Sequence, residues 1–563
     1  MLGRSIGLCF VVALLVASQA GCKKSPSQES PDKQGTSQRT ASATAELQTA
    51  LRIHWLGMKR LGAESNAASF VKVWNMPESQ KLEAQTLDKL AGAPWRPSPQ
   101  GTNAAEISVT NSASHLLRPL LDDLVQEECY LEVSGLSNRL GGMALAIRLD
   151  DQRSSLWKTN FAAVVESFTE AHALASLLTN SSTFERVQDW TLVGFGPEQR
   201  PLLTKFADAI HANGIPFATR ITNFWVEADA DLSRLGHAIP VIAPLISNLA
   251  KVNLTVIGQG PSVRTEAHLK FDRPLVLNLE PWNLPTNLIH EPLTSFTALR
   301  GARPWLATLG PFKDVPVENL PNQLFAWAEG TSPMLYFCAA PVPDASNKVY
   351  QTTEYLLHEG NAWMATNGFG KFRRPKDSNS VVWDTVPFLD PHLEAAHSSD
   401  TDFALLRFGP STYTNRPPPP GLFEQFVGVT NVLAYDWELS GPRLESWLYF
   451  AQFFRFVLRK TQVPPESVSI AWFNAIEPNL SNCGSEVIQS APDELLFLRN
   501  STIGLSSLEL QLLADWFESP NFPYGLTTFA PSRPPAIPKR KLPPGLSPVP
   551  PALKTNGTAS PHP

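Results

Sequence analysis

Apolar residues recur along this chain in two rhythms, one helical and one alternating. Leu47, Leu51, Trp55 and Met58 fall at helical spacing and predict a helix where the globular sequence begins, at Ala45. Pro77, favoured in a first turn, opens a second helix presenting Leu82, Leu87 and Leu90 before Pro94 stops it. Between them, Phe70 to Trp74 fits strand or helix. Tyr130 to Val133 and Met143 to Leu149 are β-like, and Trp157, Phe161, Val164 and Phe168 space out a helix. Val187 to Phe195 reads as one strand, Leu202, Phe206 and Ile210 as a helix, and Phe224 to Glu227, Val252 to Ile257 and Thr265 to Phe271 as strands. Gly258 to Gly260 is the turn between the last two.

From Leu275 to Val317 prolines and tryptophans accumulate without a period, which predicts an irregular connection. Beyond it the grammar repeats. Leu335 to Ala339, Val381 to Val386, Phe403 to Phe408 and Val432 to Leu439 read as strands, and Val349 to Leu357 as a helix. Pro417 to Pro420 makes an extended loop. Pro442 to Leu458 is apolar nearly all round yet carries Glu445, Gln452 and Arg455, so it reads as the central core helix of the second half. Ser506 precedes Glu509 by three residues, the spacing of a capping box opening a helix over Ser507 to Phe517.

Strands outnumber helices and several follow one another directly. The expected class is therefore α+β: two mixed halves with largely antiparallel sheets and helices on one face. Thr222-Asn223 leads through a strand to Asp231-Leu232 and Arg234-Leu235, and Thr430-Asn431 leads likewise to Glu438-Leu439 and Arg443-Leu444, a candidate distant internal duplication. The expected layout is a signal over 1–21, a disordered tether over 22–44, domains over 45–300 and 301–530, and a disordered proline-rich tail over 531–563. Both ends lack the apolar residues that would order them.

The first residues fix an address. Arg4, an apolar run from Ile6 to Ala17 and the row Ser18 to Gly21 before Cys22 have the form of a secretory signal, and the run is too short to span a bilayer core. Ala20-Gly21-Cys22 followed by Lys23-Lys24 resembles the lipobox of bacterial lipoprotein precursors. That resemblance implies diacylation of Cys22, anchoring in the cell envelope and, because Lys23 is not acidic, the outer membrane. Gln19 stands where leucine is usual in that family, and Ser18 and Ala20 also suit cleavage after Ala20, which leaves a secreted or periplasmic protein.

Composition narrows the partners. With 43% hydrophobic residues, 30 Phe and 15 Trp, the body can build a large core. A net charge of −6 gives no electrostatic case for nucleic acid. Cys129, Cys338 and Cys483 are sparse, as small buried apolar residues are.

Catalytic signatures fall short. Gly194-Phe195-Gly196 and Gly258-Gln259-Gly260 lack the further residues of a phosphate loop, and Cys483-Gly484-Ser485 continues unlike a thiol-protease segment. His392, Glu394 and His397, with Asp390, Asp400 and Asp402 nearby, are a zinc-type donor set without zincin spacing, and otherwise read as a surface loop. Glu227, Asp229 and Asp231 alternate on a strand, so they share one face as a candidate site for a hard cation or as a solvated acidic stripe. The expected protein is thus a lipid-anchored envelope protein with a binding or scaffolding role, no cofactor, and an envelope protein or glycan as partner. The rival is a secreted or anchored metal-dependent hydrolase.

Overall fold

The computed structural model describes residues 48–95, 113–136, 139–167, 182–196, 198–219, 223–238, 249–308, 316–330, 335–362, 371–376, 380–384, 391–409, 416–419, 421–457, 467–519 and 522–523. The expected signal, tether and tail lie outside them. The class is α+β, and its centre is one antiparallel sheet of 18 strands.

The first repeat begins with β1 (Gln48–Trp55), followed by helices α1 (Met58–Leu61), α2 (Ala68–Trp74), α3 (Pro77–Gly92) and α4 (Ser114–Gln126). Next come β2 (Cys129–Leu136), β3 (Arg139–Arg148), α5 (Asp151–Glu166), β4 (Thr183–Val187), β5 (Trp190–Phe195), α6 (Gln199–Asn213), β6 (Phe224–Asp231), α7 (Leu232–Ala238), β7 (Leu249–Gln259) and β8 (Ser262–Phe271). Local chemistry sets several boundaries. Pro77 sits in the first turn of α3, the Asp150 carboxylate accepts from Arg153 N at 2.7 Å to cap α5, and Gly214 ends α6 in the left-handed region at φ 75°.

The second repeat runs β9 (Leu293–Arg300), α8 (Arg303–Leu306), β10 (Gln323–Glu329), β11 (Tyr336–Pro341), α9 (Ala345–Tyr355), β12 (Lys371–Arg373), β13 (Val381–Asp384), β14 (His392–Ser398), β15 (Thr401–Phe408) and α10 (Gly421–Val427). It ends with β16 (Val432–Leu439), α11 (Ser440–Val457), α12 (Val468–Ile476), β17 (Asn482–Ala491), β18 (Glu494–Ser501) and α13 (Ser507–Glu518). The Ser506/Glu509 capping box of α13 is present on both sides.

Pairing shows how the halves are related. The first repeat orders its strands β4-β5-β3-β2-β1-β6-β7-β8. The second orders them β14-β15-β11-β10-β9-β16-β17-β18, the same order element for element, with β13 and β12 added beyond β14. Two β-bulges repeat as well. One extra residue, Ala50, sits opposite Val133/Ser134, and its counterpart Thr294 sits opposite Ala328/Glu329. Trp225 and Leu433 are the extra residues opposite β7 and β17. Bulges are specific features of a strand pair, and two at matching positions mark one strand plan used twice. The Thr222 and Thr430 segments lead into the matching strands β6 and β16. β8 and β18 pair along their length and fuse the two sheets.

Several expectations need correcting. The helix expected over Leu47 to Met58 is β1, because Leu51, Ile53 and Trp55 also alternate, and pairing with both β2 and β6 decided between the two rhythms. Val187 to Phe195 is a hairpin turned at Gln188, whose φ is 51°. The irregular connection contains β9, the strand that pairs with both β10 and β16, so the boundary drawn at 300 separates β9 from its partners. His392 to His397 is strand. Helices cover both faces.

On one face α2 to α5 bury Trp55, Leu131, Leu145 and Val226, and the same core takes in Leu444 of α11, Trp472 of α12 and Phe517 of α13. Trp472 Nε1 donates to Ser79 Oγ at 3.0 Å and Lys89 Nζ to the Phe517 carbonyl at 2.6 Å, so helices of the second repeat lock onto the first. Consequently α11 is not the central core helix of its own half. That core lies on the opposite face of the sheet, where α10 presses Phe423 and Phe426 onto Phe296, Phe325, Trp327 and Tyr435.

Glu329 is buried at the edge of this core. Its carboxylate accepts from His290 N at 2.9 Å and Trp327 Nε1 at 3.0 Å, yet burial outweighs both and raises its pKa to about 7 from 4.5. The folded state then holds a proton that the unfolded chain releases near 4.5, so this contribution to stability is complete below that pH and lost as pH rises through 7. The melting temperature of the wild type should fall more between pH 5 and pH 8 than that of Glu329→Gln; parallel curves would refute the raised pKa. Phe426→Ala, at a fully buried ring, should cost about 3–5 kcal/mol in urea unfolding, against under about 0.5 kcal/mol for a surface change.

Candidate functional site

The matched registers place residues of the two repeats in equivalent positions, and the equivalents differ by face. On the face covered by α2 to α5 the first repeat carries Ile53, Leu131, Leu145, Ile147 and Val226. Their counterparts in the second are Thr297, Ala326, Cys338, Ala340 and Ala434. Large aliphatics stand where helices cover the sheet, and small residues where they do not. The cause is topological: between β1 and β2 the chain inserts four helices, whereas between β9 and β10 the described residues form only α8 and a short turn.

Among the described residues, the second repeat therefore keeps one open sheet face. Along β9, β10, β11, β15 and β16, most side chains turned to α10 are buried, while on the other side Ser295, Ala328 and Glu438 are buried, Thr297, Ala326, Ala340, Ala404, Leu406, Ala434 and Asp436 are only partly buried, and Cys338 is exposed. α9 packs on β14 and β15 at one rim. Leu306 and Leu320 cover Leu299 and Leu324 at another. α11 closes a third side, where Trp447 and Phe450 meet Tyr336 at ring separations of 5.9 and 5.1 Å.

Polar groups concentrate at the α11 rim. Asp436 accepts from Thr297 Oγ1 at 2.7 Å, but burial raises its pKa in spite of that bond and of the nearby Arg443 and Arg499 charges. Glu438, buried behind it, accepts from Ser440 Oγ, Ser507 N and Ser507 Oγ at 3.1, 2.7 and 2.6 Å. The Arg443 guanidinium stacks on the rings of Tyr336 at 4.6 Å and Trp447 at 5.0 Å, a cation–π arrangement. Cys338 is exposed, yet the surrounding protein pushes its thiol pKa up.

On the opposite face the contrast reverses. The first repeat buries charge there: Glu132, 1% exposed, accepts from Lys205 and Arg52 and from Thr49, and Glu128 bonds His54 at 2.9 Å, Arg60 and Arg148. Burial depresses the His54 pKa, and its ring stacks on Tyr130 at 3.6 Å. The second repeat places Trp327, Phe296 and Tyr435 where the first has Glu132, Arg52 and Glu227. The Glu128 and Glu132 carboxylates are buried and each is held by more than one cation, while Arg60, Arg148 and Lys205 reach solvent and His54 Nδ1 and Arg148 Nε make no hydrogen bond among the described residues.

The expected metal sites come apart. On β14, His392 and Glu394 alternate away from His397, which instead meets Asp402 at 2.8 Å across the hairpin, while Glu394 lies 3.7 Å from Arg407. Glu227, Asp229 and Asp231 do share one face of β6. There, Asp229 accepts from Asn253 Nδ2 at 2.6 Å, Asp231 binds Ser233 and Arg234, and Glu227 is buried beside His54. Among the described residues no group of three or more His, Cys, Asp or Glu could hold a metal ion. Cys483 is buried and its thiol is pushed up to about 12, unlike a nucleophile. Cys22 lies outside the described residues. Sequence reasoning missed Tyr336, Asp436 and Arg443. The alternation Tyr435-Asp436-Trp437-Glu438 was the available signal for two chemically different faces.

No known protein family, curated protein or solved structure matches the chain.

In a Cys22→Ser background, a maleimide should label Cys338 in the folded protein, while Cys129 and Cys483 react only after unfolding. Protection of Cys338 would show that the face is covered.

Proposed function

We propose that this protein is a non-catalytic binding protein of the bacterial cell envelope, held by an acylated Cys22 and using the open face of the second repeat as its binding surface. The observation that carries the binding role is the paired contrast on one sheet. The same strand plan is filled with large aliphatics under helices in one copy, and left open over small residues in the other. The lipobox-like segment supports the address. Two acyl chains give stable attachment where one gives only marginal attachment. The hydrolase reading loses its support, because His392, Glu394 and His397 divide between two faces of β14.

Cell fractionation tests the anchor. Wild-type protein should partition with the outer membrane and Cys22→Ser should appear in the soluble fraction with an unchanged circular dichroism spectrum. A mature start at Gly21 with an unmodified cysteine would defeat the anchor. A photo-crosslinker installed at Ala326 should capture an envelope component, and the same group at exposed Leu512 of α13 should not.

A further inference from the structure

The floor of the open face ends at a pair of polar groups whose hydrogen-bonding capacity is unfilled in a specific sense. Arg443 is 4% exposed, and among the described residues its Nε finds no acceptor. The hydroxyl of Tyr336 is buried next to the same guanidinium, whose charge works against the effect of burial on its pKa, and it makes no well-formed hydrogen bond among the described residues. Tyr336 belongs to the floor row that continues through Cys338 and Ala340, and the guanidinium lies over its ring, on the groove side of the sheet. Of the neighbouring acceptors, Glu438 takes three hydrogen bonds from Ser440 and Ser507, and Asp436, which takes one from Thr297 and lies near the Arg443 charge, is pushed toward its neutral form by burial. The Nε donor of Arg443 is left without an acceptor among the described residues. A buried donor left unmatched is costly, and one attached to a full positive charge more so.

We propose that the open face of the second repeat binds a small amphipathic carboxylate, its apolar body on the Ala326–Cys338–Ala340 floor and its acidic head on Arg443 and Tyr336. The inference rests on the binding role proposed above and adds the ligand class. A guanidinium matches a carboxylate by planar, two-point hydrogen bonding, which an ammonium or hydroxyl head cannot reproduce. The floor has the complementary character. Alanine, cysteine and threonine side chains leave depth above the strands, and Leu406 supplies an apolar wall. The first repeat could not serve, since its equivalent positions are filled by Leu131, Leu145 and Ile147 under helices.

The test uses the full chain and a set of ten-carbon probes differing only in the head: decanoate, decanol and decyltrimethylammonium, titrated calorimetrically below their micelle concentrations. Decanoate should bind saturably at one site per chain, with the other two at least about tenfold weaker. Arg443→Met, which keeps the length and apolar stem, should weaken decanoate about 10–100-fold, the range for a charged hydrogen bond, and leave decanol unchanged. Ala326→Phe should block all three by filling the floor, and Ala340→Phe fills the same floor from the other end should the first variant fail to fold. Equal binding of decanoate and decyltrimethylammonium, undiminished binding to Arg443→Met, or no binding of decanoate would overturn the proposal. Capture of an envelope component from Ala326 that decanoate does not displace would overturn the ligand class while sparing the binding role.

Discussion

The pairing of β8 with β18 is the constraint on which the architecture depends. It joins Val263 to Ser501 at one end and Lys270 to Glu494 at the other, and it makes one sheet out of two copies of a strand plan. His268 reinforces the seam by bonding Glu494 at 2.8 Å across it and Glu266 at 3.2 Å beside it, and these carboxylates raise its pKa. Because the sheet is continuous, helices that follow β16 and β18 reach the core of the first repeat. Leu444, Trp472 and Phe517 are then buried against residues hundreds of positions earlier. A second repeat deprived of that seam would expose three helices whose apolar faces have no other cover.

The same fusion explains why the copies diverged as they did. A duplicated sheet has two faces per copy and must bury at least one of them. The first copy buries both, with an inserted helical layer on one face and α6 on the other. The second covers one face with α10 and leaves the other open. With no helical layer over that face among the described residues, it carries Thr297, Ala326 and Cys338 where the first repeat carries Ile53, Leu131 and Leu145. Meanwhile the covered face exchanged chemistry. Replacing a buried ion pair by well-packed apolar groups is often neutral or stabilising, whereas removing one partner alone costs about 3–5 kcal/mol. The change from Arg52, Glu132 and Glu227 to Phe296, Trp327 and Tyr435 is a concerted exchange of that kind. Either solution holds the sheet, and only intermediates between them are penalised.

Much of the fold was legible in the sequence, for physical reasons that can be named. Pro77 and the Ser506/Glu509 pair act within a turn of where they stand, so the helices they open could be read directly. The α+β class followed from the two hydrophobic periods. β1 was misread because Leu51 and Trp55 satisfy both periods, and the choice between them was made by β2 and β6, strands distant in sequence. β9 was missed because its flanking prolines disguised a short run that only its neighbours stabilise. The grouping of His392, Glu394 and His397 on one face was misjudged for a related reason. Proximity along a chain brings side chains together on a helix at one spacing and on a strand at another, and the element was not yet known.

The sequence by itself determined the class, the apolar stock of the core and the opening of the helices at Pro77 and Ser506, since each rests on composition or on residues close along the chain. The equivalence of β6 with β16, by contrast, was only a candidate until the strand registers were known. The tertiary structure decided which face of each strand is covered, and therefore which alanines are packing and which are floor. Coverage is set by the number and length of helices inserted between paired strands, and by pairing across the β8–β18 seam. The mark they leave, small residues in place of large aliphatics, can be read only once the registers of the two repeats are matched. Arg443, Tyr336 and Asp436 come from α11, β11 and β16, and only the closing of the sheet brings them to one rim.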